Sequence, residues 1–210
     1  AARFMNMHTN EFSGSVHEPK FDIELLSPDD QHILIKLHKT AEECEENLVK
    51  FRLNDAAKSL YEFFWHQYCD WYVEYSKEIR YGDEEARKEN TLLIMHHVFS
   101  SALRLLHPFM PFLTEELWHA MGYNTVHESI MIAPFPVALK ASQLKSGGVH
   151  AAAESYVDAK HDLIREARIL RANYNLTPSQ KVNYIVKPAS DELAQRLMSD
   201  QHSVATLLKA

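Results

Sequence analysis

The chain has 210 residues, with 22 Lys and Arg against 29 Asp and Glu, a formal charge of −7 and 46% apolar residues. A chain of this length buries roughly 70% of the surface it exposes unfolded, so it needs neither disulfides nor a metal to fold. No apolar run reaches the ~18 residues of a membrane span, no secretory signal is visible, and net acidity argues against gripping nucleic acid by charge alone.

Residues 1–7, AARFMNM, lack an initiator methionine and read as the last turns of a helix cut from a longer chain. Asn10, Ser13, Gly14, Ser15 and Pro19 make residues 8–26 a loop by composition. Ser27-Pro28-Asp29-Asp30 then starts a helix, with Ser27 as N-cap, Pro28 at the first position and acids at the positive end of the dipole. Ile33, Leu37, Ala41, Cys44, Leu48 and Phe51 trace its apolar stripe, and Glu42, Glu43, Glu45 and Glu46 its solvated face.

Leu53–Lys77 carries apolar residues at Leu53, Ala57, Leu60, Phe64, Tyr68, Trp71 and Tyr75, alternating steps of three and four. Phe63, Trp65 and Tyr72 lie off that stripe, so the helix is apolar on more than one side and is expected to be the central rod of a bundle. The rod is expected to end near Tyr81-Gly82. A further helix opens around Asp83-Glu84-Glu85, shows Leu92, Met95, Phe99, Ala102 and Leu106, and stops before Pro108. A short one runs from Pro111 to Met121, with Gly122 as its stop. Ser129–Ala133, fenced by Pro134 and Pro136, reads as an extended piece packed on the bundle.

Residues 140–150, with Gly147-Gly148, read as a linker between a helix-bundle domain over 1–139 and a second unit over 151–210. In the second unit Tyr156, Leu163, Ala167, Leu170 and Tyr174 stripe a long helix. Lys181–Lys187 alternates like a strand, with Val182, Tyr184 and Val186 on one face, before a short helix capped by Ser190. The expected fold class is therefore mainly α: an antiparallel helix bundle followed by a small, truncated α/β unit.

No catalytic constellation is present. The sequence has no His-Glu-x-x-His, no closely spaced cysteine pair, no glycine-rich phosphate loop and no nucleophile elbow. His96 and His97 are adjacent and diverge by about 100° on a helix, too far to share an ion. His66 and His107 read as core histidines, Trp71 and Trp118 as core, and Cys44 and Cys69 as buried thiols of a reducing compartment. The expected metal and catalytic residues are none.

Three stretches are more specific. Asn54-Asp55-Ala56-Ala57 leads through Leu60-Tyr61-Glu62-Phe63 to Cys69-Asp70-Trp71-Tyr72. Leu106-His107-Pro108-Phe109-Met110-Pro111-Phe112 precedes Thr114-Glu115-Glu116-Leu117-Trp118. Ile164-Arg165 runs to Arg171, with Leu176-Thr177-Pro178-Ser179 and Lys181-Val182 beyond. With them the chain resembles the C-terminal part of the class I aminoacyl-tRNA synthetases, and among these the valyl-tRNA synthetases, over nearly its whole length. His32 and Tyr81-Gly82 depart from the commoner pattern of that family.

The resemblance implies an anticodon-binding domain, with the catalytic and editing domains of the same chain upstream and outside this sequence. It implies a cytoplasmic parent that joins valine to tRNA(Val) using ATP and Mg, no cofactor in this piece, and no membrane. Short connections make successive helices antiparallel, so Arg3, Phe4, Asn6, Lys77, Arg80, Arg87 and Lys88 are expected to gather at one tip. Looped RNA is held by stacking its bases on aromatic or guanidinium planes. Arg3 and Phe4 are the candidates for stacking, and Lys77, Arg80, Arg87 and Lys88 for phosphate contact. Residues 74–89 hold six acids and four bases, so solvated helix ends are the plain alternative, and Phe4 has an equal claim to the core.

Residues 156–187 hold six bases and three acids, and Arg165, Arg168 and Arg171 share one helix side, a second phosphate-contact candidate. The alternative there is salt bridging within the protein. The rival readings of the whole chain are a free-standing helical protein-interaction domain, or the same domain of an isoleucyl or leucyl enzyme.

Overall fold

The computed structural model describes residues 5, 21–80, 83–125, 127–137, 144, 149–177, 180 and 182–208, with the side chains of Glu78 and Arg80 excepted. The chain forms two units, Ala1–His150 and Ala151–Ala210. Both are helical, and none of the described residues forms a strand.

In the first unit a 3-10 turn, Ile23–Leu25, leads into α1, Pro28–Val49. Ser27 and Asp30 close a reciprocal cap: the Asp30 amide donates to Ser27 Oγ at 3.0 Å, and the Ser27 amide donates to Asp30 Oδ2 at 2.9 Å. Ile33, Leu37, Ala41 and Cys44 are buried as their spacing predicts, and Glu42, Glu43, Glu45 and Glu46 are exposed. Phe51 departs from that stripe. The helix stops at Val49, Phe51 takes φ 56°, and the Arg52 amide donates to the Asn47 carbonyl at 2.8 Å. That closure usually places glycine where Phe51 stands, and it leaves the ring outside the core.

The central rod is α2, Leu53–Glu62, a π-helical stretch, Phe63–Tyr72, and α3, Val73–Arg80. At its end the Val73 amide bonds the Tyr68 carbonyl, five residues back. The wider turn brings Phe63 and Tyr72 inward, off the stripe that a 3.6 period assigns, and leaves Phe64 half-buried and Trp65 exposed.

Next comes α4, Glu85–Leu106, then α5, Pro111–Ala120. Gly122 follows at φ 70°, the left-handed stop that its position predicts. Tyr68 donates to the Met95 carbonyl at 3.1 Å, while Arg87 donates to the Tyr75 hydroxyl at 2.9 Å. Partners that descend along α4 as the rod ascends make the two antiparallel. Phe64, Tyr68 and Phe99 form the aromatic centre, with ring centroids 5.8–6.1 Å apart.

Ser129–Ala133 is not extended: Ile130–Ile132 is a 3-10 turn. It is pinned by Glu115, which accepts from Ser129 Oγ at 2.9 Å and the Ile130 amide at 3.2 Å, and by Arg104, which donates to the Pro134 carbonyl at 3.0 Å. Trp118 is fully buried and donates to the His127 carbonyl at 3.0 Å. The described residues of the segment expected as a linker lie against the bundle. Leu144 packs on the core, Val149 is buried in it, and the His150 amide donates to Gln31 Oε1 at 3.0 Å.

The second unit holds α6, Ala151–Asn173, α7, Asp191–Ser199, and α8, Gln201–Leu208. The expected α/β arrangement is corrected here. Val182 and Tyr184 are half-buried while Asn183 and Ile185 are exposed, but Val186, expected on the same face, is exposed, so the alternation holds only in part. None of the described residues offers it a second edge, and alternation without a paired backbone makes no sheet.

Burial draws His38, in α1, down from an ordinary value of 6.5 to about 4. The unfolded chain therefore binds the proton first as pH falls, and the folded state loses stability between those two values, by on the order of 3 kcal/mol in all. His38→Gln should lose that much less than the parent in urea titrations at pH 7 and pH 4. Equal losses would place the acid sensitivity elsewhere.

Candidate nucleic-acid interface

The antiparallel rods bring the start of α1, the end of α3 and the start of α4 to one end of the bundle. At its centre lies Asp30, whose side chain has no solvent exposure. One carboxylate oxygen, Oδ2, accepts from the Ser27 amide and hydroxyl, each at 2.9 Å, and faces Arg87 Nη1 at 2.8 Å. The other accepts from the Tyr72 hydroxyl at 2.7 Å. Arg87 also donates to the Leu25 carbonyl. Asn90 adds a two-way clasp on Asp22, taking its amide at 2.9 Å and donating to its carbonyl at 3.1 Å.

Electrostatics fix this arrangement. Burial opposes the Arg87 charge, but the Asp30 carboxylate outweighs it and holds the guanidinium above its ordinary range. Burial, reinforced by the same carboxylate, pushes the Tyr72 and Tyr75 phenols well above theirs. The network therefore sets the Asp30 carboxylate against the Arg87 guanidinium among neutral hydroxyls, with the buried Asp29 adding its field at Tyr75.

The predicted site residues separate accordingly. Arg3, Phe4 and Asn6 lie outside the described residues, as does the Arg80 side chain. Their neighbour Met5 is buried in the core, its sulfur 3.4 Å from the Tyr68 hydroxyl. Lys77 is partly exposed beside Glu74, and Lys88 pairs with Glu85 at 3.0 Å. Both are surface pairs on a single helix, worth little in stability and readily exchanged. Arg87, expected at a phosphate, is instead engaged by Asp30, Tyr75 and Leu25 within the bundle.

On α6, Arg165 is exposed beside Asp162 at 2.8 Å, and Arg168 is exposed. Arg171 is only 8% exposed and donates to the carbonyls of Thr177 and Gln180, each at 2.7 Å. The chain reverses at Asn175, which takes φ 52°, and Arg171 satisfies carbonyls beyond that reversal. It is a brace rather than a surface cation.

His66 is also exposed, paired with Asp70 at 3.1 Å, and is no core histidine. His107 is half-buried with Nδ1 2.7 Å from Thr114 Oγ1. Sequence reasoning missed Asp30 as a hub. The Ser-x-x-Asp cap was visible, but neither Arg87 nor Tyr72 announces itself as its partner. At the opposite end, Phe51 and Phe112 are 89% and 92% exposed, with Val49, Leu53 and Leu113 exposed around the same helix ends.

The family described as the anticodon-binding domain of tRNA ligase matches residues 30–186. The valine–tRNA ligase of Aquifex aeolicus is 37% identical over 186 residues, 83% of this chain and 15% of that protein. That of Geobacter sulfurreducens is 35% identical over 210 residues, 100% of this chain and 23% of that protein. That of Bacillus subtilis is 34% identical over 177 residues, 83% of this chain and 19% of that protein. The chain thus spans less than a quarter of the length of these relatives.

Proposed function

Because this chain belongs to the family of tRNA-ligase anticodon-binding domains, we propose that it holds the anticodon arm of tRNA(Val) as the C-terminal part of a valine–tRNA ligase. The names of its relatives favour valine over isoleucine or leucine. The parent would join valine to its tRNA in the cytoplasm, with ATP and Mg bound in a catalytic domain outside these residues. The sequence offers those groups no phosphate loop.

The observation that carries the reading is the rigid end built on Asp30. It fixes three helix termini while leaving Lys77 and Lys88 near the surface. Lys77, Arg80 and Lys88 would contact phosphates, with Arg3, Phe4 and Asn6 beside them for stacking and hydrogen bonding. Arg165 and Arg168 would touch backbone from the second unit, and Arg87 and Arg171 would hold their surroundings in place. The apolar opposite end, with Phe51 and Phe112, supports docking against the catalytic and editing domains of the same chain.

Filter titration of the chain against the tRNA(Val) anticodon stem-loop tests this. Binding should be weak at a net charge of −7 and steeply salt-dependent. Lys77→Ala, Lys88→Ala, Arg165→Ala and Arg168→Ala should each flatten the salt slope by about 1. Binding that ignores the loop sequence and all four substitutions would reject the reading.

A further inference from the structure

A second surface lies along the outer side of the central rod. Tyr61 and Trp65 are 58% and 51% exposed, and their rings stack with centroids 6.3 Å apart and planes within 2°. His66 meets Tyr61 edge-on at 6.1 Å and pairs with Asp70. Glu62 faces Lys58 at a loose 3.8 Å, with both side chains more than half exposed. The π-helical turns begin beside this pair, and such turns inside helices concentrate at functional sites. They bring Phe63 and Tyr68 inward and leave Trp65 outside.

We propose that the Tyr61–Trp65 pair is a docking surface for an arginine-bearing segment of a protein. Charge selects the partner. From Asp55 to Glu74 the exposed charged side chains are Asp55, Glu62, Asp70 and Glu74 against Lys58 alone. Glu74 is met by Lys77, but the other three carboxylates outnumber the one ammonium and repel a phosphate backbone, whose binding requires cations facing it. A guanidinium suits the same surface on both counts. Its plane stacks on Trp or Tyr, and its edge donates to flanking carboxylates. Lysine can supply the charge but not the planar stack. Glu62 and Asp70, held among the described residues by the exposed Lys58 and His66, are available to accept it.

Trp71 and Trp118 are 9% and 0% exposed, so acrylamide quenching of the intact chain reports chiefly on Trp65. Labelled nona-arginine should bind and shield that fluorescence, and nona-lysine should bind more weakly. Trp65→Ala should weaken nona-arginine about tenfold, Trp65→Phe far less, and Glu62→Gln with Asp70→Asn several-fold. All three substituted side chains are exposed, so far-UV spectra should stay unchanged. Equal nona-arginine affinity in wild type and Trp65→Ala would overturn the proposal. So would hexauridylate binding that Trp65→Ala abolishes, which would make the pair an RNA platform.

Discussion

Asp30→Ala should lower the stability of the bundle by about 3–5 kcal/mol in urea titration at neutral pH, among the largest effects of any single substitution. Removing the carboxylate strands Arg87, whose side chain is 14% exposed, and leaves the Tyr72 hydroxyl without its 2.7 Å acceptor. It also opens the cap at Ser27, a further loss of about 1 kcal/mol contained in that range. Arg87→Leu should cost less than Asp30→Ala. Asp30 would keep Ser27 and Tyr72 as donors, whereas Arg87 without Asp30 keeps only a carbonyl and a phenol. The double change Asp30→Leu/Arg87→Leu should be milder than the sum of the two, since neither charge is then left alone. Additive losses would mean that the two groups do not act as a pair.

The same substitution separates support from proposed contact at the end built on Asp30. Arg87 and Lys88 are neighbours in sequence, yet one points into the Asp30 network and the other pairs with Glu85 near the surface. Lys88→Ala should leave the urea midpoint in place and weaken RNA binding, while Arg87→Leu moves the midpoint first. Composition gives both residues the same charge and cannot tell them apart. Only the fold, by bringing α1 against the start of α4, assigns them different work.

This divides what was legible in the letters from what was not. Helix limits at Ser27-Pro28, Pro111 and Gly122 are local decisions, made by caps and by residues that cannot continue a helix. The π-helical stretch is not local in that sense. A hydrogen bond that slips from four residues to five leaves the residue types unchanged, so a 3.6 period placed Phe63, Trp65 and Tyr72 alike off the main stripe and could not separate the buried Phe63 and Tyr72 from the exposed Trp65. The expected strand at Lys181–Lys187 failed for a related reason: alternation belongs to one segment, but pairing needs a second. The family was readable because its residue runs are contiguous. The disposition of its cations was not, because Asp30 and Thr177 had to be placed before Arg87 and Arg171 could be seen to be occupied.

In the second unit the largest expected loss is at Asp200→Asn, about 3–5 kcal/mol. Asp200 lies between α7 and α8 and accepts from Lys160 Nζ and from the Tyr156 hydroxyl, each at 2.8 Å. The Lys160 side chain is wholly buried, with its ammonium 5.9 Å from the Tyr156 ring centroid and 3.4 Å from Ser203 Oγ. An asparagine of nearly the same shape keeps the packing and removes the carboxylate that accepts from that ammonium at 2.8 Å. Lys160→Met reverses the asymmetry. It fills the same volume with an apolar chain, and Asp200 keeps Tyr156 and 16% exposure to water. The cost should therefore be smaller at Lys160 than at Asp200, although the two substitutions break one contact. Segment-resolved hydrogen exchange over Ala151–Asn173 and Gln201–Leu208 would read the order directly. A larger loss of protection in Lys160→Met would show that packing of the lysine stem, not the buried charge, ties α6 to α8.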